Sequence, residues 1–200
     1  KKKLFINYHR LIKDLKENDR VLIDDGKIKL KVTTINKTTI TCDILHGGKL
    51  SSKKGVNLPS TKLSLASITK KDKKDLDFLI KNEIDWVALS FVRTSKDITD
   101  LRKIITKKKS QIKIIAKIEK PEAIKNIKSI TRSADGIMIA RGDLGIEVPM
   151  QKVPIFQKKI IKLCISYAKP VVVATQLMEG MINNSITTRA ETNDVANAVF

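Results

Sequence analysis

Lys117, Glu119 and Asp143 are the side chains whose types and spacing could do chemistry together. Lys117 precedes Glu119 by two residues, so in an extended strand both leave the same face. Glu119 closes the apolar run "IKIIAKIE" and Asp143 closes "GIMIARGD". The two carboxylates are expected on successive strands at matching depth. Their hard oxygens suit Mg2+ or Mn2+, with water and substrate completing the shell. An ammonium beside such a cation can stabilise a developing oxyanion or a phosphoryl group in transfer. Gly142 and Gly145 let the backbone come close to a ligand, and amides at a helix start favour anions. The set suits a small substrate with two negative charges. Each member alone also has a plain reading: Lys117 and Glu119 as a salt bridge, Asp143 as the cap of a turn.

Four apolar runs must carry these groups. "WVALSF" ends on Ser90 and Phe91, "IIAKIE" on Lys117 and Glu119, "IMIARGD" on Arg141 and Asp143, and "VVVATQ" on Thr175 and Gln176. Helical patterns surround and separate them: "KKDKKDLDFLIKN", then "SKDITDLRKIIT" with Ser95 as N-cap. "PEAIKNIKSI" follows with Pro121 in its first turn, then "QKVPIFQKKIIKLCISYA" and "TRAETNDVANAVF". Apolar strands joined by helices predict an α/β fold, a parallel sheet covered by helices. An open doubly wound sheet and a (β/α)8 barrel both satisfy this pattern, but no GxGxxG follows a first strand to support a dinucleotide fold. In both architectures ligands gather at the C-terminal ends of the strands, where the polar residues fall. Upstream, "RVLIDDGKIKLKV" predicts two strands joined by Asp24-Asp25-Gly26-Lys27. "TITCDIL" predicts a third strand, and His46-Gly47-Gly48 a turn. This all-β segment ends near Pro59.

Composition narrows the function classes. Apolar residues make up 42% of the 200, a globular balance. No apolar run approaches the ~20 residues of a membrane helix, and the three after Lys1-Lys2-Lys3 are too few for a signal peptide. Cys42 and Cys164 lack CxxC spacing, which fits a reducing, cytoplasmic compartment. The formal charge of +19 raises a nucleic-acid reading. Of the 40 basic residues only seven are Arg, and the lysines are scattered without an aromatic platform, so no nucleic-acid partner is expected. His9 and His46 lack partners and are expected at the surface. The chain opens on Lys1 and closes at Phe200 inside a helical pattern, and is expected to be a piece of a longer protein.

"IIAKIEKPEA", "DGIMIARGDLGIEVP", "PVVVATQLME" and "TRAETNDVANAV" resemble the pyruvate kinase family, as do "LIDDGKIKLKV", "GGKLSSKKGVNLP" and "WVALSFVR". The resemblance runs from about residue 8 to 200, in the family's order and spacing. It implies a partial (β/α)8 TIM barrel with a partial all-β lid at the N-terminal end. Residues 1–63 would be the later part of the lid, and 64–200 part of the barrel, strands four to seven. The implied reaction moves the phosphoryl group of phosphoenolpyruvate to ADP, giving pyruvate and ATP through a metal-stabilised enolate, as a step of glycolysis. Mg2+ or Mn2+ is implied, and K+ with ligands outside this chain. Lys117 matches the lysine that stabilises the transition state, and Glu119 and Asp143 match the metal ligands. Gly142 and Asp143 match the loop that holds the substrate carboxylate, Thr175 the catalytic and substrate-binding threonine, and Ser90 and Phe91 the substrate side of the fourth strand. Lys54 and Asp25 match lid residues on the nucleotide side. The resemblance also implies a homotetramer for the full-length protein, with no membrane partner.

The sequence departs from the family pattern at Ala66, Ser185 and Thr187, where proline is usual, and at Lys70, where an acid is usual. The first three barrel strands and the eighth are missing, so the chain alone is expected to be inactive in the full reaction and marginal in folding. Two other readings stand beside this one. One is an aldolase-type lyase working through a metal-stabilised pyruvate enolate, and the other is a basic binding module without catalysis.

Overall fold

A computed structural model describes residues 3–59, 61, 63–64 and 67–200. The chain divides into two compact units, Lys1–Leu65 and Ala66–Phe200.

In the first unit a single helical turn, α1 (Leu11–Asp14), precedes four strands. These are β1 (Arg20–Ile23), β2 (Ile28–Ile35), β3 (Ile40–His46) and β4 (Val56–Asn57), antiparallel in the order β3-β2-β1-β4. The β1–β2 turn falls where Asp24-Asp25-Gly26-Lys27 predicts it. Asp24 and Asp25 take φ of 53° and 55° and Gly26 of 80°, a left-handed run that short polar side chains and glycine tolerate best. Alternation places Val21 and Ile23 with Ile28 and Val32 in one small core, joined by Leu15 and Leu58. The turn expected at His46 is not formed: His46 pairs with Lys29 as the last residue of β3. His9 and His46 are both exposed.

The second unit alternates helix and strand. Its strands are β5 (Trp86–Leu89), β6 (Lys113–Ile118), β7 (Gly136–Ala140) and β8 (Val171–Ala174). They form one parallel sheet in sequential order. The helices are α2 (Lys70–Lys81), α3 (Ser95–Lys107), α4 (Pro121–Lys125), α5 (Ile127–Ser133), α6 (Arg141–Glu147), α7 (Val153–Ser166) and α8 (Arg189–Val199). Lys70 opens α2 directly after its cap Thr69, whereas Ala66 lies outside the described residues. On β6, Ile114, Ala116 and Ile118 are fully buried among helix residues such as Ile98 and Ile105. The intervening Ile115 and Lys117 are half-buried, so the strand has two distinct faces. Period two therefore places Lys117 on the face opposite the helix-packed core. Cys164 packs in that core, and burial pushes its thiol up to about 11, which makes it a packing residue and not a nucleophile.

Two helix boundaries differ from expectation. Ser95 is the first residue of α3, and the cap is Thr94, whose backbone is extended. The Asp97 carboxylate accepts the amides of Arg93 and Thr94, both at 2.8 Å, so the cap sits one residue earlier. The helix expected over 121–130 breaks at Asn126, whose side-chain amide donates to the Arg93 carbonyl at 2.9 Å.

Asp97 also predicts acid sensitivity. Burial pushes its carboxyl up, but the Arg93 and Thr94 amides outweigh this and hold it below its ordinary 3.8. A carboxyl lowered on folding adds stability above its unfolded value, and that stability is lost as pH falls through the folded value. Melting between pH 6 and pH 2 should therefore lose less Tm in Asp97→Asn than in the wild type. Equal losses would remove Asp97 from the acid response.

Candidate active site

Strand register brings the polar residues to one edge. Leu89 pairs with Ala116, Ile118 with Ile139, and Ala140 with Ala174, so the residues that follow emerge at the C-terminal rim of the sheet. Lys117 Nζ lies 2.7 Å from Glu119 Oε1 and donates to Ser90 Oγ at 3.2 Å. Ser90, Lys117 and Glu119, which end neighbouring strands, thus meet in one cluster. Glu119 lies one residue beyond β6 and is 1% exposed. Its Oε2 accepts the Phe91 amide at 2.6 Å. Phe91 takes φ 53°, uncommon for a bulky residue, and in that conformation its N–H meets the carboxylate while half its surface stays exposed.

Asp143 does not lie on a strand. The strand that was expected to carry it ends at Ala140, and Asp143 lies in the first turn of α6. The chain turns at Ala140 (φ −84°, ψ 84°) and starts the helix at Arg141. Of the two glycines, only Gly142 is crowded: a Cβ there would stand a tight 3.2 Å from Thr175 Oγ1, whereas at Gly145 the nearest atom is at an ordinary 3.8 Å. The absent Cβ lets the Gly142 amide donate to Thr175 Oγ1 at 2.9 Å.

Thr175 itself is held in an unusual conformation. It takes φ 71° and Gln176 takes 55°; for a β-branched residue this is an outlier that its surroundings must impose. Arg141 supplies the restraint. Its guanidinium donates to the Thr175 carbonyl at 2.8 and 3.2 Å and to the Gln176 carbonyl at 2.7 Å. Its remaining arm pairs with both oxygens of Asp194 on α8, at 2.7 and 2.8 Å. Helix α8 starts at a capping box of Thr188 and Glu191, and Glu191 also accepts the Gly180 amide at 2.6 Å.

A second charged pair begins at Lys120, the residue after Glu119. Lys120 Nζ is 2.6 Å from Glu147 Oε1, and the ammonium stands 5.9 Å over the Phe91 ring. Neither residue stands out as functional in the sequence, and Arg141 stands out only as a strand end. Glu147 carried a usable signal, an acid inside the otherwise uncharged "LGIEVP". Asp194 carried none, since its partner is 53 residues away.

Among the described residues no group of three or more His, Cys, Asp or Glu side chains could hold a metal. A cation here would rest on Glu119 and Asp143, with substrate and water supplying the rest. The residues fit that role: both are hard oxygen donors, and the buried Glu119 Oε1 faces the Lys117 ammonium as its charge partner. Lys54 and Asp25 belong to the first unit. There Lys54 Nζ pairs with Asp24 Oδ1 at 2.9 Å, and Asp25 is exposed. The Lys54 hydrogen bond is the main cause that lowers the Asp24 carboxyl.

Comparison with known proteins adds the family context. The model of the family described as "Pyruvate kinase, barrel domain" matches residues 1–200. A pyruvate kinase of Staphylococcus aureus (strain MRSA252) is 45% identical over 200 residues, which is 99% of this chain and 34% of that protein. One from Staphylococcus saprophyticus is 46% identical over 201 residues, again 99% of this chain and 34% of the relative. The crystal structure of a pyruvate kinase from Cryptosporidium parvum superposes with a TM-score of 0.89 at 42% identity, covering 96% of this chain and 40% of that one. The chain thus spans about a third of the length of the curated relatives it matches.

Proposed function

The chain belongs to the pyruvate kinase family, and from that premise we propose that it carries the enolate half of a site transferring the phosphoryl group of phosphoenolpyruvate to ADP. In this reading β5 to β8 are the fourth to seventh strands of a (β/α)8 barrel formed by residues 64–200. Residues 1–63 are the later part of a β lid whose Lys54 and Asp25 serve the nucleotide. The observation that carries the reading is the Lys117 ammonium, held between Glu119 and Ser90 at the strand ends.

Glu119 and Asp143 would hold Mg2+ or Mn2+, which when bound supplies positive charge to the substrate oxygens. Lys117 neutralises charge as the phosphoryl group departs and the enolate forms, and its position costs no reorganisation at that moment. The backbone amides of Gly142 and Asp143, the first of which donates to Thr175 Oγ1 in the free site, receive a substrate carboxylate, with the Thr175 hydroxyl beside the enolate carbon that gains a proton. Ser90 and Phe91 border the same substrate. Phosphoryl transfer depends on such positioning and charge compensation more than on covalent chemistry. K+ completes the full site with ligands from outside this chain. The reading extends to a cytoplasmic homotetramer working in glycolysis. No helix among the described residues is long and apolar enough to cross a membrane.

The test is exchange of pyruvate methyl protons with solvent, followed by NMR. Exchange requires the enolate half alone, whose proposed residues are all present here. Exchange that appears with Mg2+ and stops on chelation is the expected result for the full protein that carries this chain. No exchange from that protein, shown to be folded and charged with Mg2+, sinks the reading.

A further inference from the structure

Burying an ion pair removes two charges from water, and an apolar pair of similar volume is often as stable or more so. Lys120 and Glu147 are nonetheless buried together, with side chains 11% and 1% exposed and charged atoms 2.6 Å apart. Their places in the chain give the pair a use. Lys120 follows Glu119 directly at the end of β6. Glu147 is the last residue of α6, the helix whose first turn holds Gly142 and Asp143. The pair therefore ties the strand end bearing one carboxylate to the helix bearing the other. Lys120 reaches a third element as well: its ammonium stands 5.9 Å over the Phe91 ring, and the Phe91 amide donates to Glu119 Oε2. One lysine thus steadies the backbone donor that orients Glu119 and the helix that presents Asp143.

We propose that Lys120 and Glu147 are positioning residues that set the spacing of Glu119 and Asp143 for a divalent cation. The proposal rests on the metal reading above and adds a supporting layer to it. Groups that orient metal ligands typically change metal affinity ten- to a hundred-fold when altered.

The test is Mn2+ binding followed by electron paramagnetic resonance, together with thermal melting, in the full protein that carries this chain. Lys120→Met leaves Glu147 buried without its counter-charge, so the informative variant is the double Lys120→Met/Glu147→Met. Its Tm is expected to recover toward the wild type, while Mn2+ affinity stays about ten-fold weaker. Lys120→Arg, which keeps the charge but changes its geometry, should also bind Mn2+ more weakly and covers the case in which the double variant does not fold. Wild-type Mn2+ affinity in either folded variant overturns the proposal and leaves the pair a structural one. Glu119→Gln is the reference. Its loss of Mn2+ binding is expected, and unchanged binding there sinks the metal reading itself, separately from the role of the pair.

Discussion

Lys117→Met is expected to slow Mg2+-dependent proton exchange and phosphoryl transfer by about a thousand-fold, the scale seen when a preorganised charge facing the transition state is removed. Methionine keeps the length of the stem and deletes only the ammonium. The variant also breaks an ion pair with a carboxylate that is 1% exposed, at a stability cost of about 3 kcal/mol. These two consequences can be separated. A divalent cation compensates the charge that Glu119 would otherwise carry alone, so Mg2+ should raise the Tm of Lys117→Met more than that of the wild type. The rate should stay low even when Mg2+ has restored the fold. Measured kcat and Tm, each with and without Mg2+, decide the matter. A rate within ten-fold of wild type in the folded variant would make Lys117 a structural residue.

Arg141→Ala is the second large effect. Its guanidinium holds two carbonyls of a left-handed turn and both oxygens of Asp194. Arg141 is buried, whereas Thr175 and Gln176 are exposed, so losing its charge-assisted hydrogen bonds to their carbonyls costs about 2 kcal/mol. Without them Thr175 has no reason to keep φ 71°, because a β-branched residue relaxes to negative φ when nothing opposes it. Its hydroxyl then leaves the Gly142 amide. A displacement of about 1 Å at a reacting centre can cost a hundred-fold in rate, and that is the expected fall in exchange. Arg141→Lys should recover charge but not the fork that reaches two carbonyls and a carboxylate at once, so its rate should stay close to that of Arg141→Ala. Exchange rates near wild type in both variants would show that Thr175 keeps its place without the clamp.

Much of the second unit is legible in the sequence. Continuous apolar runs separated by helical patterns imply parallel strands, because a crossover helix returns the chain to the same end of the sheet. The observed sheet is parallel and sequential over β5 to β8. Lys117 and Glu119 were readable as neighbours because their separation is local and strand geometry decides it. Helix ends were less readable. The caps at Thr94 and the break at Asn126 depend on hydrogen bonds to Asp97 and Arg93 that compete with helix propensity. The helical place of Asp143 is hidden for a related reason: apolar residues up to Ala140 signal a strand but not where it yields to a helix.

By itself, then, the sequence determined the chemistry available and the ends of the strands that would hold it, since residue type and period two act over a few neighbouring residues. Tertiary structure alone decided which backbone each group leans on. The Arg141 fork on Thr175 and Asp194 spans 34 and 53 residues, and the Lys120–Glu147 pair spans 27. No local pattern encodes such partners, because they become neighbours only when packing brings three strand ends and two helices into one place.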